Sequence, residues 1–135
     1  MTDRYERGLA RQASMRTNDT PTTAIKNHLS DIAPDLQRLV VEFAYGDIHS
    51  RPGLDAGKRQ LVIIAALTAL GDTDRQVQTH VGSALGAGET PEGIVEAIMQ
   101  TIPYVGFPRA IKAIESCKAA FEKYDVLKDL PGSQE

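Results

Sequence analysis

Proton transfer near neutral pH is best served by histidine, and the chain contains three: His28, His49 and His80. His80 lies in a segment, 74–87, where Val77, Val81 and Ala84 recur at three- and four-residue spacing. That spacing marks one face of a helix, and His80 falls within the face rather than opposite it. Its surroundings Gly82, Ser83, Ala84, Gly86, Ala87 and Gly88 are small and leave room beside an imidazole. An inward histidine with space next to it is placed for acid–base work. The alternative is a structural imidazole bonded to a backbone carbonyl.

Arginine supplies the second kind of chemistry. Arg51 sits in the turn Arg51-Pro52-Gly53, and Arg59 one turn inside the apolar helix that follows. A guanidinium fork matches a carboxylate, and two of them bracketing a helix start, with its own dipole, outline an anion site. Taken singly, each would be a surface cation or a structural anchor. Tyr104, between Pro103 and Gly106, is placed either to line a cavity and donate a hydrogen bond or to pack at a helix end. Cys117 shares a stripe with Ile114 and Phe121 and reads as an inert buried thiol. Glu96 and Glu115 fall on solvated faces. His28 and His49, the latter alone in a loop, have no acidic or thiol partner at metal-ligand spacing, so no zinc pattern arises. Neither a GxxxxGK loop nor a strand-borne GxGxxG is present, and no metal or cofactor is expected.

These side chains need helices to hold them. A short helical signal covers Tyr5–Ala13 within an N-terminal arm, 1–20, expected to be ordered by a partner subunit. Thr20-Pro21 opens a helix carrying Ile25, Leu29 and Ile32, and Ala33-Pro34 restarts the chain. Leu36, Leu39, Val40 and Phe43 form the next stripe, which Gly46 stops or bends before a loop over Asp47–Asp55. Asp55 caps a helix through Leu70 that is apolar nearly all round, so it should be buried on most sides. Gly71 ends it, and Asp72 or Thr73 caps the next. Thr90-Pro91 opens another, broken by Pro103 and Gly106, with Ile94, Val95, Ile98, Met99 and Ile102 on one face. The last, Pro108–Lys123, turns Phe107, Ile111, Ile114, Cys117 and Phe121 inward. A loose tail, 126–135, follows. No segment alternates at period two. The reading is an all-α single domain of 135 residues with about six helices.

Composition removes whole classes of function. A net charge of −3 gives no basic footprint for nucleic acid and no polybasic membrane anchor. The longest apolar run, Leu61–Leu70, falls far short of the ~20 residues a membrane span needs. The opening MTDRYERGLARQ has no apolar signal core. One cysteine excludes an intrachain disulfide and fits a reducing cytoplasm. A chain this size leaves apolar surface that oligomerisation often covers.

Several motifs occur in a telling order: Tyr45-Gly-Asp-Ile-His-Ser-Arg51-Pro-Gly-Leu54, Lys58-Arg-Gln-Leu61 opening an alanine-rich helix, Gln78-Thr-His80-Val, Thr90-Pro-Glu, and Pro103-Tyr-Val-Gly-Phe-Pro108. From roughly Phe43 to Ala113 the chain resembles carboxymuconolactone decarboxylases, and Arg4-Tyr-Glu-Arg-Gly-Leu9 resembles the opening of the gamma-carboxymuconolactone members. The resemblance implies an alkylhydroperoxidase-like helical fold assembled as trimers or hexamers. It also implies a cofactor-free carboxy-lyase that converts 4-carboxymuconolactone to 3-oxoadipate enol-lactone in aromatic catabolism. His80 would act at carbon or at the developing oxyanion, with Arg51, Arg59 and Tyr104 holding the carboxylated substrate. Peroxidase relatives carry a CxxC pair ahead of this histidine. Here Thr73–Gln76 stand there, and dithiol peroxidase activity is excluded. Gln60 also departs from the glutamate that many members carry. That departure and the unusual loop around His49 keep open a related enzyme acting on another lactone or small carboxylate; a third reading is a non-enzymatic oligomeric accessory protein in which His80 is structural.

Overall fold

The computed structural model describes residues 3–15 and 29–134. Among the described residues there are six longer helices: α1 (Asp3–Ser14), α2, α3 (Ala56–Leu70), α4 (Asp74–Gly86), α5 (Pro91–Val105) and α6 (Phe107–Lys123). α2 begins as an α-helix over Leu36–Leu39 and continues with wider π-type turns over Val40–His49. No strand occurs among the described residues, in agreement with the all-α reading. The helix expected from Pro21, with Ile25 and His28, lies outside them except at its end. There Leu29 opens a short turn and Ile32 is exposed.

The expected caps set the boundaries of α3 and α5. Asp55 accepts the Lys58 N–H at 2.9 Å to start α3, and Gly71, with φ of 73°, ends it. Thr90 accepts the Gly93 N–H at 3.0 Å to start α5. Thr73 precedes α4 but does not cap it; its hydroxyl donates to the Leu67 carbonyl at 2.8 Å and ties α4 to the end of α3. Pro103 does not break α5, contrary to expectation. The helix runs on through it to Val105, and Gly106, with φ of 87°, is what ends it.

Helices α3–α6 form a body around Ile64, Val77, Val81, Ile94, Ile98 and Phe121. Two expectations about its faces need correction. α3 buries one stripe, Gly57, Gln60, Ile64 and Thr68, and leaves Val62 and Leu70 exposed. On α6 the inward face is made of Ala110, Ala113, Cys117, Ala120 and Phe121. Those small residues let the helices approach closely, and they rotate Phe107 and Ile111 outward. Met99 on α5 is likewise exposed. In the tail, expected to be loose, Leu127–Asp129 and Pro131–Gln134 form 3-10 turns, and Val126, Leu127 and Leu130 pack on the core.

α1 lies along α2 of the same chain as a helical hairpin, so the arm's helix has an intrachain seat. The crossing is close enough that a methyl group at Gly8 would strike the Val41 carbonyl, and one at Gly46 the Arg4 carbonyl. Charge adds to it. The Arg4 guanidinium grips Asp47 at 2.7 Å, Arg7 donates to the Gly46 carbonyl at 2.7 Å, and Arg38 reaches the buried Glu42 at 3.2 Å.

Candidate active site

α4 turns His80 inward, as its spacing predicts. The ring is partly buried, and its Nδ1 lies 2.8 Å from Oε1 of Gln60 on α3. An amide oxygen only accepts, so Nδ1 carries the proton and Nε2 keeps the lone pair. Gln60 is fully buried, and its Nε2 donates to the Met15 sulfur at 3.4 Å. Both ends of the amide are engaged, which fixes its orientation and therefore the tautomer of His80.

The second imidazole was not legible as a site residue. His49, expected in a loop, is the last residue of the π-type stretch of α2 and is 9% exposed. Its ring stacks on Tyr45 with centroids 4.3 Å apart and a 27° tilt. Its centroid lies 6.4 Å from that of His80, again at 27°. The usable signal is Val41, Tyr45 and His49 at four-residue steps, a row that wider helical turns bring into line. The Ser50 hydroxyl, donating to the Tyr45 carbonyl at 2.6 Å, closes those turns.

Electrostatics keeps both rings neutral. Burial first, then the neighbouring His49, pushes His80 from 6.5 down to about 4. Burial first, then the charges of Arg59 and Arg11, brings His49 to about 4. Tyr45 is raised by burial, opposed by a hydrogen bond with Gln12. Arg11, in the last turn of α1, was missed because that segment reads as an arm.

The predicted arginines separate. Arg59 acts on His49 through its charge and clamps the preceding loop, Nε to the Leu54 carbonyl at 2.9 Å and Nη2 to the Arg51 carbonyl at 2.7 Å. Arg51 is exposed at that turn. Tyr104 is 83% exposed on the outer side of α5 and lines no cavity with His80. It projects outward because Ile94 and Ile98 take the inward face of that helix. Cys117 is buried, its thiol pushed up to about 12 by burial, and so is inert. Among the described residues no group of three or more His, Cys, Asp or Glu could hold a metal. None of the described helices is long and apolar enough to cross a membrane. A separate cleft of about 440 Å³ at the far end of α3, between Leu70, Asp74, Arg109 and Lys112, contains no histidine.

Residues 34–119 match the carboxymuconolactone decarboxylase family model. A 4-carboxymuconolactone decarboxylase of Acinetobacter baylyi is 31% identical over 119 residues, 88% of this chain and 87% of that protein. An uncharacterized 15.0 kDa protein of Paracoccus denitrificans is 32% identical over 72% of this chain and 73% of its own. A nitrosuccinic acid decarboxylase of Metarhizium robertsii is 26% identical over 82% and 76%. Motif order, helical body and these matches agree: the chain belongs to the carboxymuconolactone decarboxylase family and has a decarboxylase-type function.

Proposed function

We propose that the chain decarboxylates 4-carboxymuconolactone to the enol-lactone of 3-oxoadipate, with His80 as the proton donor to carbon. The observation that carries this reading is the 2.8 Å bond from His80 Nδ1 to a fully buried amide oxygen, which leaves Nε2 for the substrate. The bond to the leaving carboxyl breaks, and its electrons pass through the double bond onto the lactone carbonyl. Carbon dioxide departs, and one proton is added to carbon. The electron sink belongs to the substrate, so no cofactor is required.

In the free protein His80 is neutral. A bound carboxylate close to it favours the imidazolium, so substrate itself charges the acid that it needs. Gln60 stabilises that cation by accepting from Nδ1. The charges of Arg59 and Arg11 around His49 attract the anion. Arg51, whose backbone Arg59 fixes, is the proposed outer carboxylate anchor. Preorganised donors of this kind are each worth about 10²–10³ in rate.

A specific observation favours a second reading, decarboxylation of a different small carboxylate. Gln60 is neutral where many relatives carry glutamate, so His80 lacks an anionic partner. A relative is named for nitrosuccinic acid, in which a nitro group would take the electrons. Both reactions leave negative charge on oxygen, and the site suits either.

Self-assembly belongs to this reading. Leu70, Tyr104 and Phe107 expose apolar surface where the ends of α3 and α5 meet the start of α6. Light scattering should report a trimer or hexamer, and a monomer at micromolar concentration would refute this part. For the activity, purified protein is offered 4-carboxymuconolactone and, separately, nitrosuccinate, while carbon dioxide is followed. Turnover of the lactone supports the first reading and turnover of nitrosuccinate alone the second, while turnover of neither sinks the lactone reading and removes nitrosuccinate as the alternative substrate.

A further inference from the structure

The reaction above leaves His49 without a task. Its Nδ1 is buried and has no hydrogen-bond partner among the described residues, a condition that native folds seldom leave unexplained. The ring is held in place by its stack on Tyr45. Titratable groups face it from every neighbouring element: Arg11 from α1, Tyr45 from its own helix, Arg59 from α3 and His80 from α4. The two charges that act on it, Arg59 and Arg11, are both positive. A fixed, unpartnered nitrogen among cations suits an anion. The 6.4 Å between the two imidazole centroids is short enough for one small ligand to touch both.

We propose that His49 is a second substrate-contacting residue, donating Nδ1–H to one carboxylate of a dicarboxylate whose reacting end lies at His80. For the role of His80 this rests on the decarboxylase reading. The anion seat itself rests on the orphaned nitrogen. His49 thereby fixes which end of the substrate faces the proton donor. Such a group governs affinity more than the chemical step, so its loss raises KM and leaves kcat less affected.

The test uses cis,cis-muconate, a six-carbon dicarboxylate with no lactone to react, in calorimetric titrations. His49→Phe keeps a ring against Tyr45 but removes the nitrogen. His49→Asn restores a polar atom near the position of Nδ1. The expected result is about a ten- to hundredfold weaker Kd for His49→Phe, as for a lost hydrogen bond to a charged group, largely recovered in His49→Asn. Equal affinity in His49→Phe and the unmodified protein overturns the proposal, and so does failure of the unmodified protein to bind muconate. If His49→Phe does not fold, the ¹⁵N resonances of the unmodified protein decide. Movement of His49 Nδ1 on adding muconate supports the seat; movement of His80 alone overturns it. The two readings fail separately. His49-dependent muconate binding without lactone turnover sinks only the substrate assignment. Full lactone turnover by His49→Phe at unchanged KM sinks only the role of His49.

Discussion

The hairpin of α1 and α2 and the body of α3–α6 are built on different physics. The body has an apolar core of Ile64, Val77, Val81, Ile94, Ile98 and Phe121, stabilised by burying apolar surface. The hairpin side buries Met15 and Val41, but with them Glu42, Tyr45 and His49, and it exposes Leu39, Phe43 and Ile48. It is held by two close glycine crossings and by Arg38 on the buried Glu42, with the exposed Arg4–Asp47 pair adding little. The site lies where the two regions meet. His80 and Gln60 come from the body, His49, Tyr45 and Met15 from the hairpin side, and the Gln60–Met15 contact joins them. The apolar core is thus concentrated in one region, while half of the candidate site sits in the other.

That contrast can be broken at graded cost. The largest effect is expected for His80→Ala, which should lower kcat by about 10²–10⁴, the usual worth of a positioned acid or base. The body should still melt cooperatively near its original temperature, as measured by circular dichroism. Next comes Gly46→Ala, whose methyl group meets the Arg4 carbonyl. Overpacking of this kind costs about 1–3 kcal/mol. Hydrogen exchange should show faster opening in α1 and α2 than in α4, with turnover falling in parallel. Gly53→Ala, with nothing within 4 Å, is the control and should change neither.

Acid should separate the regions through their shared imidazoles. Both histidines have folded pKa values near 4, below the 6.5 of an unfolded chain. Between those values the unfolded state binds more protons, so stability rises with pH there and levels off above about 6.5. Lowering the pH from 7 toward 4 should therefore lower the denaturation midpoint progressively. A double His49→Phe, His80→Phe variant should flatten that slope, as read from urea titrations at each pH. Gln60→Glu should act more gently by placing a carboxylate against Nδ1. The titration of His80 should move upward, and the acid limb of the pH–rate profile should move with it. The smallest effect is expected for Arg4→Ala. Its ion pair with Asp47 is solvent-exposed, and the melting midpoint should barely move.

Local rules read the body well from sequence. Asp55 and Thr90 cap as their types require, Gly71 and Gly106 take positive φ, and His80 faces inward because Val77, Val81 and Ala84 do. The outward turn of Phe107, Ile111 and Val62 was not legible, because periodicity reports that a face is apolar but not what covers it. The hairpin was harder to read. Its π-type turns shift the period away from 3.6, so a helical row ending at His49 looked like a loop. Gln60 was noticed as a departure from the family, but its bond to His80 joins two helices and has no local signature. Arg59, expected to hold the substrate, acts on His49 through its charge, yet much of its guanidinium is engaged with the carbonyls of Leu54 and Arg51.

The protonation state of His80 in the free protein tests the seam most directly. A long-range ¹H–¹⁵N spectrum of histidine-labelled protein at pH 7 reports it. The expected result is a neutral ring with its proton on Nδ1, titrating near 4 and shifting upward when cis,cis-muconate is added. A ring that carries its proton on Nε2, or that titrates near 6.5 with or without the dicarboxylate, would contradict it.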